Sequence, residues 1–360
     1  MIKKLAALIL TWLLMGIFIA APVRAQSDSS ATLVGQVKDA ETGSPLASVN
    51  IFLANTMRGA VSNDSGFYAL PQVPLGTHEL LVSLIGYKPR KYMIRLPAPS
   101  EARIDFKLEA KPVELPAVNI VAMSQREWKK NLKRFEKWFW GDVYNAAECK
   151  ILNPEVLEFE VKKASRIFYA TADQPFEIEN KTLGYRAEIF LEDFRYEPRD
   201  EEIRFYISPR FEELPPANAA EKEKWSENRR QAFLGSFRHF LIALIGGRII
   251  EEGFELYHLP ALPWEQKTTR RQDNKIQIVV PDSLLVPADL PNERLLRFTG
   301  ALEITYKHSG IRKQTSWLTL EKDFAVVNTS GYVNNPYDLI INGYWALDRV
   351  ARMLPRDYVL

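Results

Sequence analysis

The sequence predicts a mainly β, α+β protein: an antiparallel β-sandwich over residues 31–110, then an α+β domain built on antiparallel sheet over 124–360. Three observations carry this. Short apolar–polar alternations recur between turn signals from residue 31 to 110. A strongly amphipathic helical stretch follows from residue 124. Beyond it, further strand-like runs are interrupted by one helical interval. Strands first and then mixed elements, without a regular βαβ alternation, point away from a parallel doubly wound fold.

The chain opens with a different kind of segment. Lys3 and Lys4 precede an apolar run from Leu5 to Ala21, and Val23-Arg24-Ala25 stands before Gln26 as a small-x-small cleavage site. This reads as a signal peptide over residues 1–25. An uncleaved anchor is the alternative, because the run is about long enough to span a bilayer. No Cys lies near the cleavage point, so lipoprotein-type attachment is not expected. The expected location is the periplasm or outer-membrane surface of a Gram-negative-type envelope. With 46% hydrophobic and 11% aromatic residues in 360, there is material for more than one core. Once Lys3, Lys4 and Arg24 are removed, the 47 basic residues fall to 44 against 45 acidic ones. A near-neutral chain gives no reason to expect nucleic acid. The single Cys149 cannot form an internal disulfide, so packing must supply the stability.

Within the sandwich, Ala47, Val49, Ile51 and Leu53 fall on one face of a strand, and Tyr92, Ile94 and Leu96 on one face of another. Ile104, Phe106 and Leu108 alternate with Arg103, Asp105 and Lys107, the pattern of a sheet wet on one side. Thr42-Gly43-Ser44-Pro45, Asn63-Asp64-Ser65-Gly66, Pro74-Leu75-Gly76 and Gly86-Tyr87-Lys88-Pro89 separate the runs. The spacing leaves no room for parallel crossovers, so the pairing is expected to be antiparallel. Gly43 and Gly66 are expected to hold positive φ in their turns, with Phe67 and Tyr68 re-entering the core.

Gly35-Gln36-Val37-Lys38-Asp39, Thr42-Gly43-Ser44-Pro45-Leu46, Val49-x-Ile51, Asn63-Asp64-Ser65-Gly66-Phe67-Tyr68 and Gly86-Tyr87 together resemble the carboxypeptidase regulatory-like domain. The likeness is greatest to the version placed ahead of the plug in TonB-dependent outer-membrane receptors. It implies a transthyretin-like sandwich of the seven-stranded type. The family more often has Thr-Asp where this chain has Ser62-Asn63. Peptidase activity is not implied, because in that family a separate zinc domain carries a His-x-x-Glu pair. None of His78, His239, His258 or His308 is followed by Glu at that spacing.

Leu115 to Val121 reads as a strand within a linker, residues 111–123. Ser124 and Glu127 then form a capping box, and Trp128, Leu132, Phe135, Trp138 and Phe139 recur at helical spacing as far as Gly141. Arg126, Lys129, Lys130, Lys133, Arg134 and Lys137 take the opposite face. That face is either a solvated surface above a docked helix, the preferred reading, or a peripheral membrane contact. Strand-like runs follow at 156–161, 166–171, 176–178, 185–196 and 203–207, then a helical interval from 221 to Gly246-Gly247. Further strands are expected at 276–280, 295–306, 316–320 and 325–329, and a short helix at 346–353. Four stretches are similar to the C-terminal region of exported bacterial proteins known only by their carboxypeptidase-regulatory-like domain. They are Cys149 to Glu155, Ile178 to Tyr185, Pro209-Arg210-Phe211-x-Glu213-Leu214, and Trp225-x-x-Asn228-Arg229-Arg230 with Gly235-Ser236-x-x-His239-Phe240. That resemblance implies no activity.

The densest polar cluster in an aromatic setting contains Arg229, Arg230, Arg238 and His239. Forked guanidinium donors there are suited to a carboxylate, sulfate or phosphate. The alternative is that these arginines pair along the helix with Glu221, Glu223 or Glu227. Ser236 and His239 lack a nucleophile elbow and an identifiable orienting acid, so no catalytic residue is assigned. Glu251, Glu252, Glu255 and His258 read as a solvated edge rather than a metal site, and Asn63-Asp64-Ser65 as a turn rather than a calcium loop. Phosphate-cradling and dinucleotide motifs are absent from the sequence, so no metal or cofactor is expected. The resulting expectation is an exported, non-catalytic envelope protein that binds a protein or glycan partner and touches membrane at most peripherally. A periplasmic hydrolase with its site in the C-terminal domain is the alternative.

Overall fold

The computed structural model describes residues 30–111, 123–141, 144–162, 164–199, 201–265, 276–277, 284–307 and 313–360. The signal segment 1–25, the strand at 115–121, His308 and most of the run 276–280 lie outside the described residues.

The sandwich has two four-stranded sheets. In the first, Ser30–Asp39 alternates strictly between half-buried and buried positions, sending Ala31, Leu33 and Val37 inward. It pairs antiparallel with Phe67–Pro74, but parallel with Glu101–Arg103 and Phe106–Leu108. The expectation of purely antiparallel pairing therefore fails at this edge. A parallel pair needs a connection of about a dozen residues or more, and strands far apart in sequence have one. Here the whole second sheet serves as the connection. The two short strands are one edge broken at Ile104-Asp105, where the Asp105 carboxylate accepts the Gln36 N–H at 2.9 Å. The seven-stranded type is thus present with its last strand in two pieces.

The turn readings hold in their geometry. Gly43 and Gly66 have φ of 71° and 76°, and Asn63 Oδ1 accepts the N–H groups of Ser65 and Phe67 at 3.0 Å. Only one of the two aromatics after Gly66 re-enters the core. Tyr68 is buried and donates its hydroxyl to Ile104 O at 2.9 Å, whereas Phe67 points to solvent because neighbours on a strand face opposite ways.

The second sheet, Gly59–Val61, Asn50–Leu53, Gly76–Ser83 and Arg90–Leu96, is antiparallel and buried on both faces over part of its area. Val49, Ile51, Leu53, Leu80 and Val82 face the sandwich core. Phe52, Ala54 and Leu81 face outward and pack with Phe190 of the C-terminal region.

The C-terminal region contains two cores. The first lies between the helix Gln125–Trp140 and a six-stranded antiparallel sheet whose long hairpin is Tyr185–Glu197 with Glu202–Glu213. Ser124 caps the helix by accepting the Glu127 N–H at 3.2 Å. Its apolar face carries Phe135, Phe139 and Trp140 into the core, while Arg126, Lys129, Lys130, Lys133 and Lys137 are exposed. The second core joins the helix Phe237–Ile245 to a five-stranded and a three-stranded sheet. Among the described residues, no helix is long and apolar enough to cross a membrane.

Three expected elements differ. The helical interval is two helices, Ala219–Phe233 and Phe237–Ile245, broken at Gly235 with φ of 75°. The run 295–306 is two strands, Glu293–Leu296 and Ala301–Tyr306, separated at Gly300. The expected terminal helix is instead a single turn, Tyr344–Leu347, followed by a tighter turn, Val350–Arg352. The cause is that Trp345 belongs to the second C-terminal core, whereas Val350, Ala351 and Leu354 belong to the first. One continuous helix could not deliver both.

Phe135 is fully buried, so Phe135→Ala should lower unfolding free energy by about 3–5 kcal/mol. Lys133→Ala, on the exposed face, should stay within about 0.5 kcal/mol in the same denaturant titration. Near the crossing between cores, burial pushes the Asp348 carboxyl up to about 6 from an ordinary 3.8, while Arg352 pulls it the other way. The folded state therefore holds this proton more tightly than the unfolded chain. The stability it contributes is complete below the unfolded value and is lost as pH rises through about 6. Urea midpoints for Asp348→Asn should lack the part of the decline between about pH 4 and about pH 6 that this group causes in the parent.

Candidate functional site

The helix Ala219–Phe233 carries two of the four sequence-selected residues and holds one of them, Arg229, against the turn at 181–184. Trp225 Nε1 donates to Lys181 O at 2.8 Å, Asn228 Nδ2 to Thr182 O at 2.8 Å and Arg229 Nε to Leu183 O at 2.7 Å. Arg229 also donates to Gly184 O at 3.2 Å, forms an ion pair with Glu213, and stacks 3.9 Å above the Tyr185 ring. Gly184 has φ of 69°, and a Cβ there would stand 2.2 Å from the Trp225 ring. The stretches Ile178 to Tyr185 and Trp225 to Arg229 thus form one clamp. Arg230 is exposed and pairs side-on with Glu227, its Nε and Nη2 donating at 2.8 and 2.9 Å. The helical pairing considered from sequence occurs at Arg230, whereas Arg229 is spent mainly on carbonyl oxygens.

Ser236 and His239 meet for a structural reason. Ser236 is the N-cap of the helix Phe237–Ile245, and its Oγ accepts the His239 backbone N–H at 3.1 Å. His239 is buried. Its Nδ1 accepts the Gly235 N–H at 3.1 Å, which leaves Nε2 to donate to Glu252 Oε2 at 3.2 Å. With Nδ1 occupied as an acceptor, the ring is held in one tautomer. Arg238 reaches the C-terminal segment. It donates to Ser330 O at 3.1 Å, Pro355 O at 3.0 Å, Tyr358 O at 2.8 Å and to Arg356 O. The four residues do not converge on one point, and of them Arg238 lines the cleft where the modules meet.

That cleft, of about 300 Å³, has three walls. The sandwich contributes Asn55, Thr77, Glu79 and Met93, the long hairpin Phe205, Tyr206 and Ile207, and the last module Phe237, Tyr332, Val333, Leu339 and Ile341 among others. Docking forms it. Asn55 N–H donates to Pro209 O at 2.6 Å, Phe211 N–H to Thr56 O at 2.9 Å, and Arg356 N–H to Asn55 O at 2.7 Å. Asn55 has φ of 65°, a region that asparagine tolerates better than most residues. The Glu79 carboxylate accepts the Tyr206 hydroxyl at 2.6 Å and the Ser208 hydroxyl, and pairs with Lys91 at 2.9 Å. On the opposite side, Glu293 accepts the Thr77 N–H at 3.1 Å and the Asn334 amide at 2.9 Å.

Asn334 Oδ1 is buried without a partner, and Arg356 is the charged group of the lining whose side chain makes no hydrogen bond among the described residues. Its guanidinium lies 4.3 Å over the Tyr332 ring. Its Nε is buried with no hydrogen-bond partner, and no carboxylate among the described residues lies within ion-pair distance. Burial shifts it below the usual guanidinium range, while Tyr332 and Glu79 pull it back. Sequence reasoning missed this residue and Glu79. The available signals were Leu80-Leu81-Val82 and Ile51-Phe52-Leu53, continuous apolar triplets that mark strands buried on both faces.

Glu255 pairs with Lys307, Glu252 with His239, and His258 Nε2 lies 2.7 Å from Thr299 O. Among the described residues, no group of three or more His, Cys, Asp or Glu side chains is arranged to hold a metal ion.

Residues 33–120 match the family model of the CarboxypepD_reg-like domain, so the sandwich is a domain of that kind. No curated protein matches the chain. Among solved structures, the chain is similar to a type II cohesin–X-dockerin complex from Acetivibrio cellulolyticus, at 16% identity over 29% of this chain and 72% of that one, with a TM-score of 0.20. It is similar to the minor pilin GBS52 of Streptococcus agalactiae at 16% identity over 25% of this chain and 48% of that one, TM-score 0.21. It is also similar to the major pilin subunit of Bacillus cereus at 9% identity over 83% and 95%, TM-score 0.20.

Because Arg238 ties down four carbonyls of the segments that wall the cleft, Arg238→Ala should loosen that segment selectively. Amide hydrogen exchange at Arg356 should accelerate by about tenfold or more, with a global loss of roughly 2 kcal/mol. Unchanged exchange at Arg356 would contradict the clamp.

Proposed function

We propose that the chain is an exported, non-catalytic binding protein of the cell envelope that receives an envelope protein or glycan partner at the cleft between its modules. The observation that carries this reading is the Arg356 guanidinium, which lines the cleft with no acceptor of its own among the described residues. A buried polar group without a partner is costly, and a ligand or partner group supplies the missing acceptor. The other cationic candidates support the reading by contrast, since Arg229, Arg230 and Arg238 are engaged with internal oxygens. Ser236 and His239 act in a helix cap rather than as nucleophile and base. Export rests on the segment before Gln26, with its charged start, apolar run and small-x-small site.

Two measurements test this. The protein recovered from periplasmic or outer-membrane fractions should begin at Gln26; an intact, unprocessed chain in the cytoplasm would contradict export. A photocrosslinking residue placed at Met93, exposed at the cleft, should yield one discrete adduct in cells. The same probe at Lys133, on the exposed helix face, should not. Equal labelling from both positions, or none from Met93, would contradict binding at the cleft.

A further inference from the structure

Resting on the reading of the cleft as a binding site, we infer that the group it takes is an anion carried on an apolar body, with Arg356 as the anion's partner. The lining has two characters. Phe205, Ile207, Phe237, Leu339 and Ile341 supply apolar surface. Into that surface projects one guanidinium that makes no ion pair and no side-chain hydrogen bond among the described residues. A planar fork of donors at an apolar wall matches a carboxylate or phosphate oxygen pair. It has no use for a neutral apolar ligand, whose binding would leave the cation desolvated and unpaired.

The acidic group in the lining does not oppose this. Glu79 pairs with Lys91 at 2.9 Å, a lysine it shares with Glu192, and its oxygens accept two hydroxyl donors. Arg238, the second cation of the lining, has its donors on four backbone carbonyls, so its positive charge remains while its hydrogen bonds are spent. Of the charged residues that line the cleft, Glu79 and Arg238 have their polar atoms engaged, and the free donors belong to Arg356. Sugar recognition would instead call for several directed polar groups facing the ligand. Here the Asn334 amide N–H is held by Glu293, which leaves its Oδ1 as a lone acceptor, and the Tyr206 hydroxyl is held by Glu79.

The test is calorimetric titration of the purified protein with three probes: decanoate, decanol and glucuronate. Decanoate should bind saturably at one site, and decanol and glucuronate should each bind at least tenfold more weakly. Arg356→Gln should weaken decanoate tenfold or more and leave decanol unchanged. Arg356→Lys should fall between, because it keeps the charge and loses the fork. The comparison among probes on the unaltered protein needs no variant to fold. Decanol binding as tightly as decanoate would overturn the anion while leaving the cleft as a site. Glucuronate binding as tightly would overturn the apolar body. Failure of all three would overturn the anion-on-apolar-body inference, while the Met93 crosslink decides separately whether the cleft binds a partner.

Discussion

The structure depends on the docking of one sandwich face against the C-terminal region. A sandwich normally turns the outer faces of its sheets to water. Here the outer face of the second sheet carries Phe52, Ala54 and Leu81 under Phe190, with the Phe52 and Phe190 ring centroids 5.6 Å apart. Beside this apolar contact sits Glu79, a carboxylate only 10% exposed. Such a charge is tolerable only when its oxygens are satisfied, and Tyr206, Ser208 and Lys91 satisfy them. Two of those three partners come from the hairpin, so the sandwich alone would not present Glu79 in this state. The cleft exists because of this docking. Its sandwich wall and its hairpin wall belong to different modules.

The C-terminal segment makes the arrangement a three-way join. Trp345 fills the second C-terminal core and donates its indole N–H to Gly235 O at 2.7 Å. A few residues later Val350 and Ala351 enter the first core, where Asn180 donates to Ala351 O at 2.9 Å. Beyond them Arg356 bonds to Asn55 of the sandwich through its backbone, while Asp357 accepts the Met57 N–H and pairs with Arg58. Arg238 clamps the carbonyls between. A short segment that enters two cores and bonds to the sandwich joins the three parts, and it also fixes the Arg356 side chain at the cleft.

How much of this was legible in the sequence follows from which groups interact. Alternation gave the strands of the sandwich, because a half-buried sheet imposes period two on its own residues. Gly43 and Gly66 were readable because positive φ is a local demand. The parallel edge was not readable, since it pairs strands some 60 residues apart with nothing local to mark it. The cluster Arg229, Arg230, Arg238 and His239 looked like a site because its charges are dense. Its acceptors, however, are mostly backbone carbonyls, those of Leu183 and Gly184 and of Ser330, Pro355, Arg356 and Tyr358, and carbonyls carry no residue identity. Arg356 has the opposite problem. A lone arginine after Leu354-Pro355 looks like a surface residue, and only the three-dimensional join shows that its guanidinium faces an apolar cleft without a partner.

Glu79 joins the modules energetically, and a double-mutant cycle measures this directly. Glu79→Gln, Tyr206→Phe and the double variant should be compared with the parent by equilibrium unfolding. A coupling energy of about 1 kcal/mol or more is expected between these two residues, which stand 127 positions apart in sequence. Additivity within about 0.3–0.5 kcal/mol would contradict it.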